Sequence, residues 1–267
     1  MEDLIFYITL FKWGLLSGIF FGLSSTFTSS YLILQRNSLF PHALTHILLF
    51  SLLILSLLSP HLHPLLNFPL IIVLTLILSL FIFLLIKFTP LFEDSATSIV
   101  TYLSLALALL IANKTSQYDI TLLNYLFGSI IVVSKIDALE SFLVLLVSAF
   151  LYLKYKELWL TQCIEREVPG VNFKKSQLIF LILITLQTII GVKLMGVLLV
   201  SAFFVYSGVL ALRISPSFKW VFPLNAFFNL LAIISGFLLS ILFDLPFSAS
   251  AILFMSLYII LILLKRS

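Results

Sequence analysis

The sequence predicts an all-α, polytopic membrane protein, and three observations carry that reading. Of its 267 residues, 62% are hydrophobic and only 10% are charged, against about 25% charged in an ordinary soluble domain. Apolar stretches of about 20 residues, each long enough to cross a bilayer core as a helix, recur along the whole length. The residue-by-residue alternation of a membrane barrel is absent. No segment is polar enough and long enough to fold separately, so residues 1–267 read as one transmembrane domain.

Nine spans are expected, at residues 13–34, 40–59, 66–88, 95–112, 137–154, 177–191, 194–212, 220–243 and 247–264. Residues 120–133 are also apolar but short, between Asp119 and Ser134-Lys135. They read as a half-helix that stays on one side of the membrane. Lys193 and Gly196 mark the break between the sixth and seventh spans. Asp244-Leu245-Pro246 reads as a turn.

Charge orients the spans. If Arg36 is cytoplasmic, so are Lys87, Lys154, Lys156, Arg166, Lys174, Lys175, Arg213, Lys219, Lys265 and Arg266. Four basic residues, Lys12, Lys114, Lys135 and Lys193, fall on the other side or within the membrane. The positive-inside rule then places the N-terminus outside and the C-terminus in the cytoplasm, provided the half-helix does not cross. The formal charge of +4 is accounted for by topology and headgroup contact, and no nucleic-acid partner is implied. Met1-Glu2-Asp3 lacks the basic start of a signal peptide, so the first helix is expected to be retained. Cys163 is the only cysteine, which excludes an internal disulfide and a cysteine metal cluster within one chain.

One connection, 157–176, is long, polar and cytoplasmic. Within it Trp159 to Glu167 can form a short amphipathic helix, stopped by Pro169-Gly170. Such a helix either rests at the membrane surface or docks into a soluble partner.

Two histidines stand out. His42 and His46 lie one helical turn apart, so both imidazoles leave the same face of a buried helix. Ionisable groups in a membrane span usually face a cavity, a partner or a substrate path, and imidazole pairs suit zinc and related divalent metals. A packing histidine bonded to a backbone carbonyl is the alternative for His46, and an interfacial histidine the alternative for His42. His61 and His63 fall in an outer loop, either solvated or receiving metal.

Several segments taken in order resemble a known family. They are Gly14, Ser17, Gly18 and Gly22 leading to Arg36; Pro41-His42-Ala43-Leu44-Thr45-His46; Asn124-Tyr125-Leu126-Phe127-Gly128-Ser129-Ile130; Lys193-Leu194-Met195-Gly196-Val197-Leu198-Leu199-Val200-Ser201-Ala202; and Asp244-Leu245-Pro246 with Ser248, Ala249 and Ser250. The chain is similar, almost end to end, to the membrane subunits of ATP-binding-cassette importers for zinc, manganese or iron. The resemblance implies a shortened form of the fold of vitamin-B12 and siderophore permeases, and a homodimer around a translocation path. It implies a cytoplasmic ATPase docked on a coupling helix, here Trp159, Gln162, Glu165, Arg166 and Glu167, and an extracytoplasmic protein that delivers the metal. His42 and His46 become transient substrate contacts, and no cofactor is implied.

Three positions depart from the family pattern: His42 and Ser129 stand where aspartates are usual, and Ser207 where a proline is. Loss of two carboxylates removes hard oxygen ligands, which manganese prefers, while zinc accepts imidazole. Zinc is therefore favoured, with manganese and iron retained. A permease for a chelated metal and a secondary metal carrier are the alternatives. A carrier usually buries carboxylates, which are scarce here. An intramembrane metalloenzyme would need a general base beside the pair, and no His-Glu-x-x-His pattern supplies one. The chain also lacks a Walker A motif, so it is expected to be a transport subunit and not an enzyme, with ATP hydrolysed by its partner.

Overall fold

The computed structural model describes residues 11–58, 64–89, 92–114, 128, 133–165 and 173–264. These form eight helices: α1 Lys12–Leu34, α2 Phe40–Leu58, α3 Pro64–Phe88, α4 Glu93–Lys114, α5 Lys135–Ile164, α6 Phe173–Ile214, α7 Phe218–Phe243 and α8 Phe247–Leu264. Gly196 interrupts α6 with a non-helical backbone, φ 78° and ψ 168°. Its two halves, Phe173–Val197 and Leu199–Ile214, bring the spans to the nine that the sequence predicts. Large apolar side chains face outward over much of the surface, as on α3 at Ile77 and on α5 at Leu153, an arrangement suited to hydrocarbon and not to water.

The span richest in serine and threonine lies at the centre. Five helices are long and apolar enough to cross a membrane on composition alone, and α1 is not among them. It packs instead against α5, α6 and α7, and its Ser and Thr side chains are buried. Their hydroxyls first bond within the helix, Ser24 to the Phe21 carbonyl at 2.8 Å and Ser25 to that of Gly22 at 2.9 Å. Amides of neighbouring helices complete the pairing. Gln187 of α6 donates to the Ser24 carbonyl at 2.8 Å and to Ser148 of α5 at 3.0 Å, and accepts from Thr28 at 2.7 Å. Asn229 of α7 donates to the Gly22 carbonyl and to Ser25, while Asn225 donates to Ser29 and Ser30. In a medium without water such groups need protein partners, and α1 supplies them to α6 and α7 at once.

Helix ends divide into two faces. At one, α1 stops at Arg36, whose left-handed backbone (φ 62°) turns the Asn37 amide back onto the Leu32 carbonyl at 2.8 Å. A cavity at this face is lined by the end of α1, the beginnings of α2, α4 and α6, and the end of α5. Since α4 starts and α5 ends there, α4 must end and α5 start at the opposite face. Lys114 and Lys135, the helix ends that flank the 115–134 connection, therefore lie at the same face. Of the half-helix expected at 120–133, only Gly128 and Val133 lie among the described residues.

At that opposite face α5 opens with a capping box. The Ser134 hydroxyl accepts from the Asp137 amide, and an Asp137 carboxylate oxygen accepts from the Ser134 amide at 2.7 Å. Gly128 (φ 64°) lies directly on the α6 break, where an added Cβ would stand 2.3 Å from the Met195 carbonyl carbon. The Asp244 turn forms as expected: it caps α7 in the left-handed region, its amide on the Ser240 carbonyl.

Two outcomes follow. Gln187→Leu should destabilise the protein by about 1 kcal/mol, the scale of an interhelical hydrogen bond in a membrane, as a lower melting temperature in detergent. Gly128→Ala combines a steric overlap with a left-handed backbone that side chains rarely adopt and should sharply lower the yield of folded protein on size-exclusion chromatography.

Candidate functional site

α2 begins two residues before His42. Pro41 sits in its first turn, where a missing amide costs nothing, and Thr45 bonds back to the His42 carbonyl at 2.6 Å. Ala43, Leu44, Thr45, Ile47, Leu48 and Leu49 are buried against neighbouring helices. The face left open carries His42, exposed, then His46 and Phe50, half-buried. The two imidazoles meet edge to face with ring centroids 4.7 Å apart and planes at 88°. The shared face expected from the sequence is thus present. His46 Nδ1 is buried without a hydrogen-bond partner. Among the described residues no third His, Cys, Asp or Glu joins the pair.

Depth is set by helix geometry. At 1.5 Å per residue His46 lies about 9 Å along the axis from Phe40, against about 15 Å from either edge to the middle of a bilayer core. The pair sits toward the face that carries Arg36.

The expected coupling segment is built differently. Of residues 157–176, those up to Ile164 complete α5 and those from Phe173 open α6, so no separate amphipathic helix starts at Trp159. Its side chain is fully buried, stacked on Tyr155 and edge-on to Tyr31 and Phe180 at 5.7 and 5.0 Å. The indole N–H donates to the Ser176 carbonyl at 3.4 Å. Charges at Lys154, Lys156 and Glu157 suggest a span ending at 154, yet Tyr152, Tyr155, Trp159 and Cys163 continue one helical stripe facing the core. Gln162 is half-buried, its Oε1 unpartnered, and Glu165 is exposed as the α5 C-cap. Arg166 and Glu167 lie outside the described residues, as do His61, His63 and Ser129. Ser207 is buried, its hydroxyl on the Phe203 carbonyl at 2.5 Å.

Two features were not singled out from the sequence. One is the cavity, of about 700 Å³, whose walls include Gln35, Arg36, Glu93, Gln162, Cys163 and Phe180. Polar residues at the ends of apolar runs are its only signal. The other is an ion cluster at the opposite face, where Lys193 Nζ lies 2.5 Å from Asp137 Oδ1 and 2.8 Å from Glu140 Oε2. The three charges are visible in the sequence, but 53 residues separate Glu140 from Lys193.

A bundle of nine spans with a broken helix and a polar central seam defines a multi-pass membrane protein, and comparison with known proteins narrows the class. The profile of the ABC 3 transport family matches residues 7–266, and the chain belongs to that family. It is 27% identical over 260 residues to the high-affinity zinc uptake system membrane protein ZnuB of Buchnera aphidicola subsp. Baizongia pistaciae, covering 96% of this chain and 98% of that one. It is 24% identical over 164 residues to the manganese transport system membrane protein MntC of Halalkalibacterium halodurans, covering 60% and 56%. PsaBC from Streptococcus pneumoniae, solved in complex with Fab, superposes with a TM-score of 0.83 at 19% identity, over 98% of this chain and 94% of that one. That likeness establishes the fold.

Trp159→Ala should remove about 3–5 kcal/mol of stability, as for a large buried aromatic. Glu165→Ala, at an exposed cap, should stay within about 0.5 kcal/mol. Detergent melting curves of the two variants, run side by side, check this contrast.

Proposed function

We propose that this chain is the permease subunit of an ATP-driven importer that moves a divalent metal ion, with zinc favoured, across the plasma membrane by alternating access. The observation that carries the reading is the open stripe of α2, with His42 and His46 on it and His46 Nδ1 buried and unpartnered. Family membership and relatives named for zinc and manganese transport support it.

The pair supplies two neutral nitrogen donors, half of a tetrahedral zinc set. A second copy of the chain facing the first across the path would complete it with four imidazoles. Ligands shared between copies hold the ion only while the two stripes face each other. Separation of the stripes during alternating access would release it, with no covalent chemistry in this chain. ATP is hydrolysed by a cytoplasmic ATPase. Glu165, Arg166 and Glu167 remain the candidate contacts with it, next to Gln162 on the cavity wall, while Trp159 supports them from the core. An extracytoplasmic binding protein delivers the metal at the face where α5 begins. The bias of basic residues places the N-terminus on that side and the C-terminus in the cytoplasm, which puts the histidine pair near the inner mouth of the path.

Uptake of radiolabelled zinc and manganese into vesicles holding the permease and its ATPase tests the reading. His46→Ala should lower zinc uptake at limiting zinc by roughly tenfold or more, the loss of at least about 1.4 kcal/mol of binding. His42→Asp, which supplies a hard oxygen donor, should shift preference toward manganese. Full zinc uptake by the double alanine variant would remove the histidines from the path. No uptake of either metal by the unaltered protein would overturn the importer reading.

A further inference from the structure

The ion cluster of Lys193, Asp137 and Glu140 lies where three parts of the chain meet. Lys193 is in the last turn of the first half of α6, three residues before the Gly196 break. Asp137 and Glu140 occupy the first turns of α5. Gly128, from the connection that precedes α5, rests on the Met195 and Gly196 backbone. Each charge also suits its own helix end, the lysine at a C-terminal end and the acids at an N-terminal one.

The two Asp137 oxygens divide their work. Oδ2 accepts from the Ser134 amide and hydroxyl at 2.7 and 2.8 Å, and Oδ1 faces Lys193 at 2.5 Å. One carboxylate thus fastens the α5 cap to α6. Glu140 Oε2 takes a second lysine proton at 2.8 Å. Side-chain exposures of 40% for Lys193, 14% for Asp137 and 24% for Glu140 leave water access to the cluster. Its charges can therefore separate without the penalty of a dry buried ion pair.

The helical ladder of α6 is already interrupted at Gly196, so its halves can change angle there without breaking a continuous run of hydrogen bonds. Any such change of angle also moves the end of the first half against α5, and the ion pairs of Lys193 with Asp137 and Glu140 resist that movement. We infer that Lys193, Asp137 and Glu140 form a latch that holds the α6 elbow against the start of α5 and keeps this membrane face closed, and that the latch parts when the face opens to admit substrate. The inference rests on the importer reading for what is admitted. These three are positioning residues and need not touch the ion.

Two measurements test it in a Cys163→Ser background. Ala138 is buried beside Asp137, so Ala138→Cys reports opening through its labelling by a membrane-impermeant maleimide. Lys193→Met should raise that labelling several-fold and lower uptake relative to ATP hydrolysis. Lys193→Glu combined with Glu140→Lys keeps one lysine between two carboxylates and should restore slow labelling. Unchanged labelling in Lys193→Met, with an unchanged melting temperature, would overturn the latch. If Lys193→Met fails to fold, Glu140→Cys with Lys193→Cys decides: bridging the two with a short, cleavable bifunctional thiol reagent should stop metal uptake, and cleavage should restore it. Uptake at the unbridged rate by the bridged protein would overturn the latch and leave the importer reading intact. No uptake by the unbridged Cys163→Ser parent would instead implicate that reading.

Discussion

Polar groups buried in a bilayer must be satisfied by protein, and the organisation of this bundle follows from where that requirement falls most heavily. α1 carries a run of serines and threonines that hydrocarbon would penalise. It can be a membrane span only at the centre, with Gln187, Asn225 and Asn229 brought to it by α6 and α7 and Gln187 held in turn by Ser148 of α5. That pairing fixes the neighbours of α1. α3 and α5 are left with broad outward faces for lipid.

Set around this seam, the two membrane faces differ in character. The face carrying Arg36 has a sizeable cavity, the aromatic cluster around Trp159 and, just inside it, the histidine stripe of α2. The opposite face is tied together by the Lys193 cluster and by Gly128 seated on the α6 break. A protein that exposes a path alternately to its two sides needs such asymmetry, because one end must be able to stay shut while the other is open. His42 stands where the family resemblance leads one to expect an acid, and it shares its open helical face with His46.

Legibility followed the range of the interaction. The His42/His46 face was readable because one helical turn brings the rings together with no help from the rest of the fold. The α6 break was readable at Gly196, and the α7 turn at Asp244-Leu245-Pro246, because both are local backbone chemistry. The end of α5 was not. Lys154, Lys156 and Glu157 look like the edge of a membrane span, while the stripe of Tyr152, Tyr155, Trp159 and Cys163 that carries the helix onward acquires meaning only once α1 and α6 stand opposite it. For the same reason a segment read as a surface docking helix is in part a core element.

By itself the sequence determined that this is a helical, multi-pass membrane protein with nine spans, the helical face its histidines share, and its likeness to metal-importing permeases. These depend on composition, on helical period and on the order of local motifs. Tertiary structure alone decided that the span richest in serine and threonine is the central one, that Trp159 is buried, and that Lys193 meets Asp137 and Glu140 beside the α6 break. Each of those rests on contacts between residues far apart in the chain, where hydropathy and spacing carry no information about which partner a polar group will find.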